Sequence, residues 1–258
     1  MMPLAYSLMA SSALAGLALY KKALTAAGTL LAFALCAGIC RYGGLPAFLI
    51  LAVTFMATVA ADKLAGHRAD PYLLRRKSGR RDAWRVLCNV GVGALAVLLR
   101  GVTGREKFLL VYAAVMAESL SDSLASKIGP LFKGKTVDIC SFKKLPTGLS
   151  GGVSAAGTIA ALGGSMIIGG LSMLLVPTVK TALLVALTGF AGCLFDSVIG
   201  SAVQVKYYCP ACGSVTESGE HCGEKTIFYK GLRLINNDGV NMLSNAFSFL
   251  LALFCINQ

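Results

Sequence analysis

Glu118, Asp122 and Ser126 recur at every fourth residue of the stretch Glu118-Ser-Leu-Ser-Asp122-Ser-Leu-Ala-Ser126-Lys127-Ile-Gly129. On a helix that spacing puts two carboxylates and a hydroxyl on one face, with Lys127 one residue further on. The stretch closes an apolar run, and acids inside a membrane span are costly and mark a functional interior. Two carboxylates on one face suit magnesium, which takes carboxylate oxygens together with substrate phosphates. A buried ion pair with Lys127 would use the same residues. Asp196 and Asp238 lie near the ends of other apolar runs and extend the set of hard oxygen donors.

Basic and glycine-rich motifs supply the complementary chemistry. Lys143-Lys144-Leu-Pro146-Thr147-Gly148-Leu-Ser150-Gly151-Gly152-Val-Ser154 brings lysines and hydroxyls to a helix expected to start near Gly152. Free N–H groups at a helix start attract phosphate. A turn with Ser150 as N-cap would give the same pattern. Arg75-Arg76-Lys77-Ser-Gly79-Arg80-Arg81-Asp82-Ala-Trp84-Arg85 runs into Asn89. Guanidinium forks match phosphate oxygens, and a basic anchor with an interfacial tryptophan is the other reading. Gly129-Pro-Leu-Phe-Lys-Gly134-Lys135-Thr136 has the spacing of a phosphate-binding P-loop. That motif requires a strand before it and a helix opening at the lysine. Here an apolar span precedes it and no helical pattern follows, so it is not read as one.

Asn237, Asn241 and Asn245 form a stripe four residues apart, with Asp238 and Asn241 three apart. Such amides in an apolar span must bond something, either a ligand or a neighbouring helix. Asp196-Ser197 with Gly200 and Gln204 is a further polar group within a span. Cys209-Pro-Ala-Cys212, followed by His221-Cys222, resembles a small structural zinc site, although adjacent His and Cys ligands depart from the usual spacing. A reduced thiol pair is the alternative. Cys36, Cys40, Cys88, Cys193 and Cys255 lie in apolar runs, where thiols act as small hydrophobes. The two histidines, His67 and His221, both fall in expected loops and offer no Ser–His–Asp set. Phosphoryl or nucleotidyl transfer needs positioning and metal rather than such a base.

The elements that must hold these groups are membrane helices. The chain of 258 residues is 56% hydrophobic and 14% charged, with a mean hydropathy of +0.71. A soluble domain would carry about a quarter charged residues. Spans are expected near 4–20, 23–41, 44–61, 86–103, 107–126, 152–176, 178–201 and 236–256. The fold class is therefore all-α: a polytopic membrane protein of about 7–8 transmembrane helices, residues 1–258 forming a single integral membrane domain. Residues 205–232 are read as an inserted cytoplasmic cysteine/histidine loop. The apolar, uncharged start reads as a first span and not as a cleaved signal.

If the loops after spans one, three, five and seven share a side, that side holds 19 of the 24 lysines and arginines. The positive-inside rule then makes it cytoplasmic. The working face would be cytoplasmic and both termini outside, in the cytoplasmic membrane if the source is bacterial. The net charge of +12 reads as topology and as affinity for anionic lipid or substrate, and no nucleic-acid partner is expected. Abundant glycines near span six suit close helix packing. Leu120-Ser-Asp122-Ser-Leu echoes Leu194-Phe-Asp196-Ser-Val, as a repeat or by chance.

Arg80-Arg81-Asp82-Ala-Trp84-Arg85-Val-Leu-Cys-Asn89-Val-Gly91, Asp122-Ser-Leu-Ala-Ser126, Pro146-Thr-Gly148-Leu-Ser150-Gly151-Gly152-Val-Ser154, Phe195-Asp196-Ser-Val-Ile-Gly200 and Asn236-Asn237-Asp238-Gly-Val-Asn241 together resemble one membrane family. It is catalogued as domain of unknown function ninety-two. It includes the transmembrane protein nineteen group and the plastid phytyl-phosphate kinase of vitamin E synthesis. The likeness covers most of the chain with order and approximate spacing kept, and the cysteine/histidine loop recurs in the family. A more distant likeness links the acidic span and basic loop to dolichol kinases and CDP-diacylglycerol synthases.

The resemblance implies a membrane-embedded kinase converting an isoprenoid monophosphate, of phytyl or polyprenyl type, to a diphosphate with CTP or another nucleoside triphosphate and magnesium. On that reading Glu118, Asp122 and Asp196 hold magnesium. Lys144, Lys127, Thr147, Gly148, Ser150, Gly151 and Gly152 bind donor phosphates, and Asn237, Asp238 and Asn241 complete the nucleotide pocket. Arg80 and Arg81 hold the acceptor phosphate, whose tail lies between spans among membrane lipids. A transporter or flippase of an anionic lipid or metabolite is the alternative from another class.

Overall fold

The computed structural model describes residues 1–68, 80–132 and 134–256. Arg75, Arg76, Lys77 and Lys133 lie outside the described residues. The apolar runs form helices α1 (Leu4–Tyr20), α2 (Ala26–Arg68), α3 (Ala83–Thr103), α4 (Lys107–Ile128), α5 (Ala155–Ser172), α6 (Val179–Ala202) and α7 (Asn237–Ile256). Six of these, α2 to α7, are long and apolar enough to cross a membrane, and α1 is a shorter apolar helix.

The α2 segment is a hairpin. Its 43 residues would span about 64 Å if straight. Yet Thr25 N, just before it, donates to Arg81 O at 3.0 Å, and Asp62, near its far end, meets Arg81 Nη2 at 2.6 Å. Both ends therefore reach one arginine. The reversal falls at Gly44, whose φ of 73° is open to glycine, with Pro46 just after it. The two arms match the spans expected at 23–41 and 44–61.

The central element is α4. Every residue from Phe108 to Ser121 except Leu110 is buried, and α2, α3, α5, α6 and α7 all pack on it. Small residues let the backbones approach, as membrane helices require in place of a hydrophobic driving force. A Cβ at Gly164 would lie 3.1 Å from Ser121 Cα, and one at Gly189 would lie 2.9 Å from Glu118 N. Buried hydroxyls lock the same contacts: Tyr112 donates to Ala47 O at 2.8 Å and Ser121 to Ala161 O at 2.8 Å.

The ends of the bundle differ. Met2 N donates to Arg41 O, and Arg100 donates to Tyr42 O, so the α2 reversal, the chain start and the α3–α4 turn share one end. The segments 21–25, 80–82, 129–132, 134–154 and 203–236 gather at the other. They carry short strands absent from the sequence reading. Val137–Asp138 (β1) pairs antiparallel with Gly152–Val153 (β2). Lys206–Tyr208 (β3) lies between Val215–Thr216 (β4) and Ile227–Lys230 (β7), both antiparallel. Glu220–His221 (β5) and Glu224–Lys225 (β6) form a hairpin.

Two boundaries differ from expectation. Gly152 pairs in β2, so α5 starts at Ala155, and its N-cap is Ser154, which accepts from Gly157 N at 3.2 Å, rather than Ser150. His67 falls in the last turn of α2 and not in a loop, because the helix runs to Arg68.

Candidate functional site

A cavity of about 450 Å³ lies at the long-loop end of the bundle. Asp122 of α4 and Asp196 of α6 line it. The two helices run in the same direction, packed at Gly189 on Ala117, so the aspartates of the two echoing motifs enter the cavity at similar depth. Glu118, one turn earlier, is 1% exposed and sits behind the wall. Ser244 of α7 donates within reach of both acids, to Glu118 Oε1 at 2.7 Å and Asp196 Oδ2 at 3.1 Å. The three carboxylates are electrostatic neighbours.

The cation side comes from the start of α3 and the end of α4. Arg81, Arg85 and Lys127 line the cavity. Lys127 does not pair with Glu118. It meets Asp62 at 3.1 Å, and Asp62 also holds Arg81 at 2.6 Å. One carboxylate on α2 thus orients two cations. Burial lowers the Arg81 pKa, Asp62 opposes that, and Arg85 adds to it. Arg85 in turn contacts Asp238 at 3.3 Å. Asp62→Ala would leave two partly buried cations without their anion. It is expected to cost about 1–2 kcal/mol, read as faster thermal inactivation in detergent, with Lys63→Ala as a neutral control.

The asparagine stripe is divided between two tasks. Asn245 donates to Cys88 O at 2.9 Å and accepts from Ser119 at 2.9 Å, joining α7 to α3 and α4. Asn241 donates to Asn89 Oδ1 at 3.3 Å and also lines the cavity, as do Asn237 and Asp238.

The roof is the loop before α5. Thr147, Gly148, Ser150, Gly151 and Gly152 line the cavity. Gly148 and Gly151 both have φ of 86°, and a Cβ at Gly151 would lie 2.6 Å from Ser201 Cα, so this close backbone approach requires glycine. Lys206 Nζ donates to Ser150 O at 2.8 Å, and Ser150 N donates to Glu217 Oε1 at 2.6 Å. Asp138 anchors the other side, accepting from Ser201 Oγ at 2.6 Å and from Ser141 and Cys140 N–H groups. Burial would raise its carboxyl, but these hydrogen bonds outweigh burial and hold it at about 2. A depressed carboxyl contributes stability above its unfolded pKa of about 4, and that stability is lost as pH falls toward 2. Protection from hydrogen exchange at residues 137–152, measured against intrinsic amide rates, is therefore expected to fall between about pH 4 and pH 2, and in Asp138→Asn to be reduced already at neutral pH.

Two expected site residues stand apart. Arg80 and Lys144 are exposed and do not line the cavity. The backbone of Lys144 bridges to Val137, which turns that residue along the strand and leaves Thr147–Gly152 as the wall. Sequence reasoning missed Asp62, Ser244, Asp138 and Glu217. An acid next to Lys63 at a span end looks like a solvated terminus. Ser244 and Ser248 continue the polar stripe of Asn241 and Asn245, a signal that was present.

Away from the cavity, the ligand atoms of Cys209, Cys212, His221 and Cys222 all lie within 4.8 Å of one another. The hydrogen bond from the Ser214 side chain, and then that from its N–H, lower the Cys212 thiol to about 6.

Fold and site together define a polytopic membrane protein with an internal cavity lined by acids, guanidinium groups and a glycine-rich loop. The chain belongs to the family described as integral membrane protein DUF92, whose model matches residues 9–249. It is 27% identical to Protein PGR of Arabidopsis thaliana, over 79% of this chain and 77% of that protein. It is 24% identical to Protein VTE6, chloroplastic, of the same plant, over 89% of this chain and 64% of that protein. An uncharacterized membrane protein of Methanocaldococcus jannaschii is 30% identical over 49% of this chain and 52% of its own length. The chain therefore spans from about half to about three quarters of these relatives. No solved structure matches it significantly.

Proposed function

We propose that this protein transfers a phosphoryl group from a nucleoside triphosphate, CTP being the first choice, to an isoprenoid monophosphate, giving the diphosphate. One observation carries the reading: the cavity lining divides between charged and amide groups and a set of apolar side chains from α1 to α4. Beyond Asp122, Arg81 and the glycine loop, its wall continues through Leu14 of α1, Leu51 and Phe55 of α2, Val86 and Val90 of α3 and Met116 of α4. A phosphate on a long hydrocarbon tail has that same division, and a soluble metabolite does not. The resemblance to a family that includes a phytyl-phosphate kinase supports the same reaction.

Asp122 and Asp196 are the residues that would hold magnesium, since carboxylate oxygens facing a phosphate-sized cavity suit that hard cation. When bound, magnesium would neutralise charge on the donor phosphates. Glu118 acts from behind, holding Ser244 and through it Asp196. Backbone groups of Thr147–Gly152 cradle the donor phosphates. Asn237 and Asn241 face the nucleotide. Arg81 and Arg85 hold the acceptor phosphate, taking the place expected for Arg80. An oxygen of the acceptor attacks the γ-phosphorus, and the bond to the β-phosphate oxygen breaks, releasing nucleoside diphosphate. The positive-inside distribution of lysine and arginine supports a cytoplasmic position for this end of the bundle, where nucleotide is available.

The test is turnover by purified protein with magnesium, CTP or ATP, and a series of prenyl monophosphates of increasing length. Diphosphate formation is expected to rise with tail length, because the apolar side chains of the lining are covered only by longer chains. Equal activity on a short, water-soluble monophosphate would contradict the role given to them. Lipid phosphate movement across vesicles with no nucleotide consumed would favour the transporter.

A further inference from the structure

The β unit at 205–232 lacks the means to fold by itself. Its only buried apolar residues are Val205 and Cys209, and Ile227, Phe228 and Tyr229 are all exposed. A piece this small needs a staple in place of a core. Cys209, Cys212, His221 and Cys222 occupy that position, with ligand atoms within 4.8 Å of one another.

Their ligand atoms lie close enough together to share one tetrahedral ion. Zinc bonds to sulfur and nitrogen set ligand–ligand separations of about 3.8 Å for two thiolates and about 3.5 Å for thiolate and imidazole. Cys212 Sγ lies 3.4 Å from His221 Nδ1, and Cys222 Sγ lies 3.3 Å from the same nitrogen. The adjacency of His221 and Cys222 is resolved by the β5–β6 turn. Cys222 and Gly223 form its two central residues, with φ of 54° and 80°. Turns of this kind favour Asn, Asp or Gly at the first position. A cysteine in the left-handed region is strained, and such strain persists where surroundings over-determine it. Here the turn aims the Cys222 thiol back toward the ring of the preceding residue. On the other side Gly213, φ 69°, closes the Cys209–Cys212 turn, with Gly213 N donating to Cys209 O at 2.9 Å.

We infer that these four residues bind one zinc ion and that the zinc holds the cavity roof in place. Residues 213–220 bridge the two ligand pairs, and Glu217 lies in that bridge. Its carboxylate accepts from Ser150 N, and Lys206, three residues before Cys209, donates to Ser150 O. Both peptide groups of one cavity-wall residue are thus fastened to the zinc unit. The metal is structural: all four positions are protein ligands, and none is left for substrate. This inference is independent of the reaction assigned to the cavity.

The full-length protein, purified in detergent without chelators, is expected to contain about one zinc per chain, falling to near zero in Cys212→Ser and Cys222→Ser. Chelation of the wild-type protein is expected to raise amide exchange at 213–230 and at Ser150–Gly152 while α4 and α6 stay protected. Glu217→Gln is expected to keep its zinc but raise exchange at Ser150–Gly152. If the cysteine variants fail to fold, cobalt exchanged into wild-type protein is expected to give thiolate charge-transfer bands of a tetrahedral site. A folded protein without zinc, a different metal in its place, a Cys209–Cys212 disulfide, cobalt without those bands, or exchange at Ser150–Gly152 indifferent to chelation would overturn the inference.

Discussion

Asp122→Asn is expected to lower phosphoryl transfer by about 10³-fold or more while the protein still folds. Asp122 is half-buried and faces the cavity. The amide keeps the size of the side chain and loses the charge that would draw magnesium. Asp196→Asn is expected to act in the same direction. The double variant is expected to be little worse than either one, because two residues serving one ion act as a unit. Glu118→Gln differs in kind. Glu118 does not line the cavity and meets Ser244 at 2.7 Å, so its loss is expected to be smaller and to be relieved in part by raised magnesium. Steady-state rates against magnesium concentration separate these cases. An Asp122→Asn protein with wild-type turnover would remove that residue from the metal site.

Gly189→Ala is expected to be strongly damaging for a single methyl group. The new Cβ would collide with Ala117 Cβ and lie 2.9 Å from both Ala117 C and Glu118 N. These are backbone atoms of the central helix and cannot swing aside. The helices α4 and α6 must separate, at a cost of about 1–3 kcal/mol. The same movement parts Asp122 from Asp196, so activity should fall further than stability alone accounts for. Gly163→Ala is the control, because a Cβ there meets nothing within 4 Å. The check is thermal unfolding in detergent beside turnover below the transition. Equal behaviour of the two variants would mean that the α4–α6 contact does not set the site.

The spans were legible because twenty-residue apolar runs have few alternatives, and the hairpin of α2 was legible from Tyr42-Gly43-Gly44. Which loops gather at one end of the bundle was legible from where lysine and arginine fall. The partners were not. Lys127 pairs with Asp62, which lies 65 positions earlier, and no helical spacing links residues on different helices. The asparagine stripe announced buried amides but not that Asn245 would bind α3 while Asn241 faced the cavity. Lys144 carries the charge a phosphate site calls for, yet its backbone is engaged beside β1, and the roof uses peptide groups and glycines instead. Glu217 was hidden for another reason: its task depends on a small β unit whose fold the alternating Cys, His and Gly residues do not spell out.

The most direct measurement follows the phosphorus. Purified protein with magnesium, a γ-labelled nucleoside triphosphate and a long-chain isoprenoid monophosphate is expected to yield a lipid diphosphate labelled only in its terminal phosphate, and none with Asp122→Asn. Label recovered only as inorganic phosphate, or no label leaving the nucleotide with any lipid monophosphate, would contradict the assignment of this cavity to phosphoryl transfer.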